Sequence, residues 1–193
     1  MLIREAKAEQ LMSRSWSRAD LVQSVAWLKR LNAQGHDVYI RPAGEHGLVL
    51  VDDLKPQALE LMKAAGFAPA ATLETSPGHY QAWVKLADQP LSAEVRRLAA
   101  QGLAQQYGGD LNSADSHRYG RLAGFTNQKP QHTRGDGRQP YVLAHDCPGQ
   151  LAAAAPAYLE RIEQALDRAE VQAHRQEKQA QRGRDRDGLG RSH

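Results

Sequence analysis

Four apolar residues, Leu48 to Val51, run straight into two aspartates, Asp52 and Asp53. An uninterrupted apolar run of this length reads as a strand covered on both faces, so the chain must build a sheet with material packed above and below it. Two unpaired carboxylates cannot continue into that interior, because burying them without cations or donors is costly. The strand therefore emerges where the aspartates begin. Adjacent side chains of a regular strand point to opposite faces, so both acids serve one site only if the strand ends or bulges at Val51 or Asp52. A turn-initiating aspartate accounts for one of them, and less well for two.

The rest of the chain supplies the partners of that strand. Residues 17–34 read as an amphipathic helix capped by Ser17, with Leu21, Val25, Leu28 and Leu31 at helical spacing before Gly35. Residues 36–41 and 47–53 look like the two arms of a hairpin around AGEHG. A helix follows over 55–65, then strands at 70–75 and 79–86 across a Ser76-Pro77-Gly78 turn, and a helix over 92–107 stopped by Gly108-Gly109. A last strand is expected at 141–144. From about Pro156 a helix carries Leu159, Ile162 and Leu166 on one side, and the charged end from His174 onward reads as a frayed helix or flexible tail. That tail is a linker or a contact for nucleic acid or a partner. The expected fold is α+β, a mixed or antiparallel sheet packed with helices, with a main domain over 1–150 and a C-terminal helical extension over 151–193. A chain of 193 residues, 41% hydrophobic, has material for one such core.

Composition narrows the function classes. Twenty-five Lys and Arg against 22 Asp and Glu give a net charge of +3, compatible with nucleic acid if the cations gather on one face. The single cysteine, Cys147, excludes an internal disulfide framework and a cysteine-rich zinc site, and reads as a small buried side chain. No apolar run approaches the roughly 20 residues of a membrane span, and residues 1–20 lack an apolar leader core. A cytoplasmic protein is expected.

Three places carry candidate chemistry. Asp110 follows Gly108-Gly109, whose freedom brings its backbone close to a neighbouring strand. With Asp52 and Asp53 it forms a set of hard oxygen ligands suited to Mg2+ or Mn2+, the ions of phosphoryl transfer. Asp115 competes for that third place, but stands three residues before Arg118 and reads as its partner or as a turn cap. In SPGHYQAWVKL, Ser76 and His79 stand at the entrance to a strand, where His79 is either structural or, beside an open glycine, a ligand-binding group. Tyr80 and Trp83 on that strand are either core or surfaces for base stacking. In RYGRLAGFTNQKP, Arg118, Arg121, Asn127 and Lys129 surround a glycine-containing loop, a pattern that suits either a triphosphate or a solvated basic loop.

Taken in order, WLKRLNAQGHDVYIRP, HGLVLVDDL, LETSPGHYQAWV and GGD followed by RLAGFTNQKP resemble the RepB-type DNA primases of mobilisable plasmids, relatives of the archaeo-eukaryotic primases that also occur fused to relaxases. The resemblance covers about Val25 to Pro130. It implies a metal-dependent nucleotidyltransferase with a catalytic acidic pair at Asp52 and Asp53, a third acid at Asp110, and Ser76 and His79 near the incoming nucleotide. It implies single-stranded DNA and nucleoside triphosphates as substrates, with a relaxase or replication helicase as further partners. Two features depart from the pattern. The superfamily's first motif commonly has one residue between its acids, and a further helical region usually follows the catalytic domain. A non-catalytic single-stranded DNA binding module and a metal-dependent nuclease are the alternative readings.

Overall fold

The computed structural model of the protein describes residues 14–189. The reading of residues 1–20 as lacking a leader core falls largely outside them, as does the end of the tail from 190. In chain order the elements are α1 (Arg18–Ala33), β1 (Tyr39–Ile40), β2 (Leu48–Leu54), α2 (Pro56–Ala64), β3 (Ala71–Ser76), β4 (His79–Lys85), α3 (Ala93–Tyr107), β5 (Gly120–Arg121), β6 (Leu143–Asp146) and α4 (Ala155–Leu189). The chain divides into two compact units between Pro156 and Ala157, where the sequence suggested 150/151.

Local chemistry sets these boundaries. The Ser17 hydroxyl accepts from the Asp20 amide at 3.1 Å while the Asp20 carboxylate accepts from the Ser17 amide at 2.9 Å, a reciprocal capping box that starts α1. Ser92 starts α3 by accepting from the Val95 amide at 3.2 Å, and Gly108 ends it in the left-handed conformation at φ +71°.

Four strands form one antiparallel sheet in the order β2-β4-β3-β6. Val49, Leu50 and Val51 are all buried, as an uninterrupted apolar run requires. α3 packs against β2, and α2 against α3 and β4. One side-chain cluster joins Leu50, Leu73, Trp83 and Val142; a second joins Leu28, Val38 and Phe125, with Trp27 and Ile40 packed around it. Trp83 is thus core, not a stacking surface, and Tyr80 meets the His145 ring edge-on.

Four expectations need correction. Residues 36–41 and 47–53 do not pair as a hairpin: β1 pairs with β5 in a separate two-stranded ladder, and β2 pairs with β4. Arg121 on β5 is buried and needs a carboxylate, and Asp37, two residues before β1, supplies it, which holds β1 beside β5. The last strand lies at 143–146 rather than 141–144. Cys147 is exposed, because it directly follows β6, all four of whose residues are exposed at the sheet edge. Finally, α4 stays helical to Leu189, since its Ala, Gln, Glu and Arg residues are good helix formers with no proline beyond Pro156 to stop them. Among the described residues no helix is long and apolar enough to cross a membrane.

Candidate active site

The β2-β4 register runs Leu50 to Trp83 and Val51 to Ala82, then jumps to Leu54 opposite Tyr80. Two residues, Asp52 and Asp53, thus oppose the single Gln81, the signature of a β-bulge. Asp53 has φ +58°, the only positive value among the described non-glycine residues. This backbone twist turns adjacent aspartates toward one side, where both line the same cavity of about 290 Å³.

Each carboxylate is held by named donors. Asp52 Oδ1 accepts from Gln81 Nε2 at 3.0 Å and from the Asp53 amide at 2.8 Å, and Asp52 Oδ2 lies 3.9 Å from the Arg118 guanidinium. Asp53 Oδ1 is 2.5 Å from His79 Nδ1, and the Lys55 ammonium lies 3.1 Å from that same ring nitrogen.

Asp110 reaches the site through its backbone, its amide donating to the Asp52 carbonyl at 3.0 Å. This approach depends on Gly109: a Cβ there would sit 2.8 Å from Val51 Cγ1 and 3.0 Å from the Asp52 carbonyl oxygen. The Asp110 side chain caps the short 3-10 turn Leu111–Ser113, accepting from the Asn112 amide at 2.9 Å and from the Ser113 hydroxyl. The Ser113 hydroxyl holds the Asp110 carboxyl below its ordinary value; burial opposes this, while the Asn112 amide, Arg118 and Lys129 reinforce it.

Ser76 and His79 pair across the tight turn at Pro77-Gly78. Ser76 lines the cavity and is 1% exposed, and its buried hydroxyl has no hydrogen-bond partner among the described residues. Arg118, Arg121, Asn127 and Lys129 line the same cavity, so the structure brings all nine candidate residues together. Asp115 lies elsewhere, with its carboxylate on the His117 amide at 2.6 Å.

The candidates differ in how free they are. Arg121 is 4% exposed, and both its terminal nitrogens engage Asp37, one at 3.1 Å, so it is first a structural ion pair. Asn127 is committed as well: Nδ2 donates to the Thr75 carbonyl at 2.8 Å and Oδ1 accepts from the Lys129 amide at 3.1 Å, fastening the loop to β3. Lys129 is exposed, and Arg118 donates to the Ser113 hydroxyl. Sequence reading missed Lys55, Asp37, Ser113 and His132. Burial, then Lys129, His79 and Arg121, lowers the His132 pKa, against a raising influence from Asp53. Gln81 was visible only as an alternating strand residue, and nothing in the sequence marked Ser113.

Asp52, Asp53 and Asp110 line one cavity without converging on one point; among the described residues no three metal-ligating side chains are clustered around a common centre. The donor chemistry fits a hard divalent cation all the same, being carboxylate oxygen on a wall that also carries an unpartnered hydroxyl.

A family model described as the RepB DNA-primase N-terminal domain matches residues 7–165. The chain belongs to the RepB primase family. It is 50% identical over 182 residues to mobilization protein A of Escherichia coli, an alignment covering 93% of this chain and 25% of that protein. It is 31% identical over 134 residues to a DNA primase of Acidithiobacillus ferrooxidans, covering 68% of this chain and 38% of that one. The chain thus spans well under half the length of these two relatives. Among solved structures, the catalytic domain of primase RepB' in complex with initiator DNA superposes with a TM-score of 0.81 at 49% identity, covering 89% of this chain and 88% of that domain. The primase-type α+β fold read from the sequence is the fold of this RepB family member.

Proposed function

We propose that the chain is the catalytic module of a plasmid DNA primase, a DNA-directed nucleotidyltransferase that joins nucleoside triphosphates on a single-stranded DNA template. The observation that carries this reading is the β2 bulge, which places Asp52 and Asp53 on one cavity with Asp110 and a set of cations. The reaction is attack of a 3′-hydroxyl on the α-phosphate of a nucleoside triphosphate, with pyrophosphate leaving. Asp52, Asp53 and Asp110 would hold Mg2+ or Mn2+, which when bound supplies charge neutralisation and favours ionisation of the attacking hydroxyl.

The chain's own groups bind and orient the triphosphate. Lys129, Arg118 and the Lys55 ammonium beside His79 present positive charge near the acids, where developing charge on the phosphates needs it. Ser76 offers its unpartnered hydroxyl as a donor to a phosphate oxygen. Arg121 and Asn127 act mainly by fixing the loop that carries Lys129. The relation to mobilization protein A supports a role beside plasmid mobilisation, and the partner of this reading is a relaxase or a replication helicase. The RepB' complex with initiator DNA supports DNA binding by this module. A cytoplasmic site of action goes with these substrates.

The test incubates the full chain with single-stranded DNA, labelled nucleotides and Mg2+ or Mn2+, and sizes the products. Labelled products extended by nucleotides are expected. Shortened DNA would identify a nuclease, and binding without incorporation would identify a non-catalytic module.

A further inference from the structure

Arg96, on α3, is 3% exposed and has no carboxylate within ion-pair distance among the described residues. A guanidinium stays charged at any physiological pH, so this is a buried positive charge without a counter-charge. Its Nε has no hydrogen-bond partner, and its Nη1 meets His46 Nε2 at 2.7 Å. That contact is itself contested: the Leu48 amide points at His46 Nδ1 from 3.2 Å, and a neutral imidazole has one acceptor nitrogen, not two. At least one donor of the cluster is therefore left unsatisfied.

Arg96 lines a second cavity of about 290 Å³, together with the cations Arg41 and Arg118 and the imidazoles of His46 and His117. Arg118 also lines the acid-bearing cavity, so the two spaces adjoin. Two acids border the second cavity. Asp115 is occupied by the His117 amide and Glu45 is exposed, and neither reaches Arg96. Burial and the neighbouring Arg96 charge hold His46 below its ordinary pKa, against the Leu48 contact, as expected where positive charge is in excess.

We propose that the Arg96 cavity is a second phosphate-binding site, beside the acid-bearing cavity, which takes one phosphate group of a nucleic acid strand or of a second nucleotide. The ligand class rests on the nucleic-acid reading given above; the need for an anion rests on the buried guanidinium, which has no counter-charge among the described residues and whose Nε has no hydrogen-bond partner. Its charge offers a phosphate oxygen a charge-assisted hydrogen bond, and Arg41 and His117 line the same cavity.

The test compares the full wild-type chain with Arg96→Met, Arg96→Lys and a double variant, Arg41→Ala with His117→Ala. Each is titrated with a labelled single-stranded oligonucleotide lacking a 5′-phosphate, at several salt concentrations, and separately with a fluorescent nucleoside triphosphate. If a strand phosphate occupies the site, Arg96→Met weakens oligonucleotide binding by about ten-fold and lowers the log-log salt slope by about 0.7, while Arg96→Lys recovers part of both. If a second nucleotide occupies it, the loss falls instead on one of two classes of triphosphate site. A lower melting temperature with both affinities unchanged would overturn the proposal, because Arg96 would then be purely structural. Should Arg96→Met fail to fold, the double variant decides: unchanged affinities overturn the site and a loss in either supports it. Because the readout is equilibrium binding, a wild-type chain that incorporates no nucleotide would refute the catalytic reading without deciding this one.

Discussion

Asp53 holds a left-handed backbone at φ +58° within the bulge that lies between the Val51 and Leu54 pairings. A side chain such as alanine's in that conformation is strained by about 1 kcal/mol, a cost that glycine escapes and that a short polar side chain such as aspartate's offsets in part. Asp53→Ala and Asp53→Gly both remove the carboxylate, yet the alanine variant should be the less stable by about 1 kcal/mol in denaturant unfolding, while both lose nucleotide incorporation. Equal stabilities would mean that the strand relaxes and the bulge is not fixed. Titratable residues give a second expectation. His46 and His132 have pKa values below the ordinary 6.5, so their contribution to stability is complete above that value and is lost as pH falls through the folded-state values. Asp110, with a pKa below 3.8, has the same sign at lower pH. The unfolding free energy should therefore decline in two stages, one beginning near pH 6.5 and one below about pH 4. A profile that is flat from pH 7 to 5 would contradict the first stage.

At the scale of elements, the site is a junction between the bulged end of β2 and the end of α3, closed by one peptide hydrogen bond from Asp110 to Asp52. Gly109→Ala should break it, since the added methyl would meet Val51 and the Asp52 carbonyl within 3.0 Å. We expect a loss of about 1 to 3 kcal/mol in unfolding and a larger proportional loss of incorporation, measured on the same preparation. Much of this junction was legible in advance. The apolar run into Asp52-Asp53 announced the buried strand and its ending or bulging at Val51 or Asp52, of which the structure takes the bulge, and Gly108-Gly109 announced a close approach by Asp110. The pairing of β1 was not legible, because a two-residue ladder to Gly120 and Arg121 leaves no periodic pattern. Its cause is a buried Asp37-Arg121 pair separated by 84 residues, beyond any local signal. For the same reason Arg121 and Asn127 looked like free ligand groups in the sequence, whereas their partners Asp37 and Thr75 come from distant segments.

For the whole molecule, a small positive balance without an extended aromatic array means that phosphate neutralisation should dominate strand binding. Affinity for single-stranded DNA should fall steeply with salt, by about 0.7 in log-log slope for each phosphate neutralised. Residues 174–193 mix Arg with Glu and Asp and partly cancel their own field, so a chain ending near Ala173 should extend a primed template about as well as the full chain. Loss of extension on that truncation would place strand binding in the C-terminal region instead. The metal-dependent centre we propose joins Asp52 and Asp53 of β2 with Asp110, which follows α3. Its most direct measurement is nucleotide incorporation on primed single-stranded DNA, with Mn2+ binding followed in parallel, for the wild type, Asp53→Ala and Asp110→Ala. Folded variants that bind Mn2+ more weakly and incorporate no nucleotide are expected; normal incorporation by either one would show that the centre lies elsewhere.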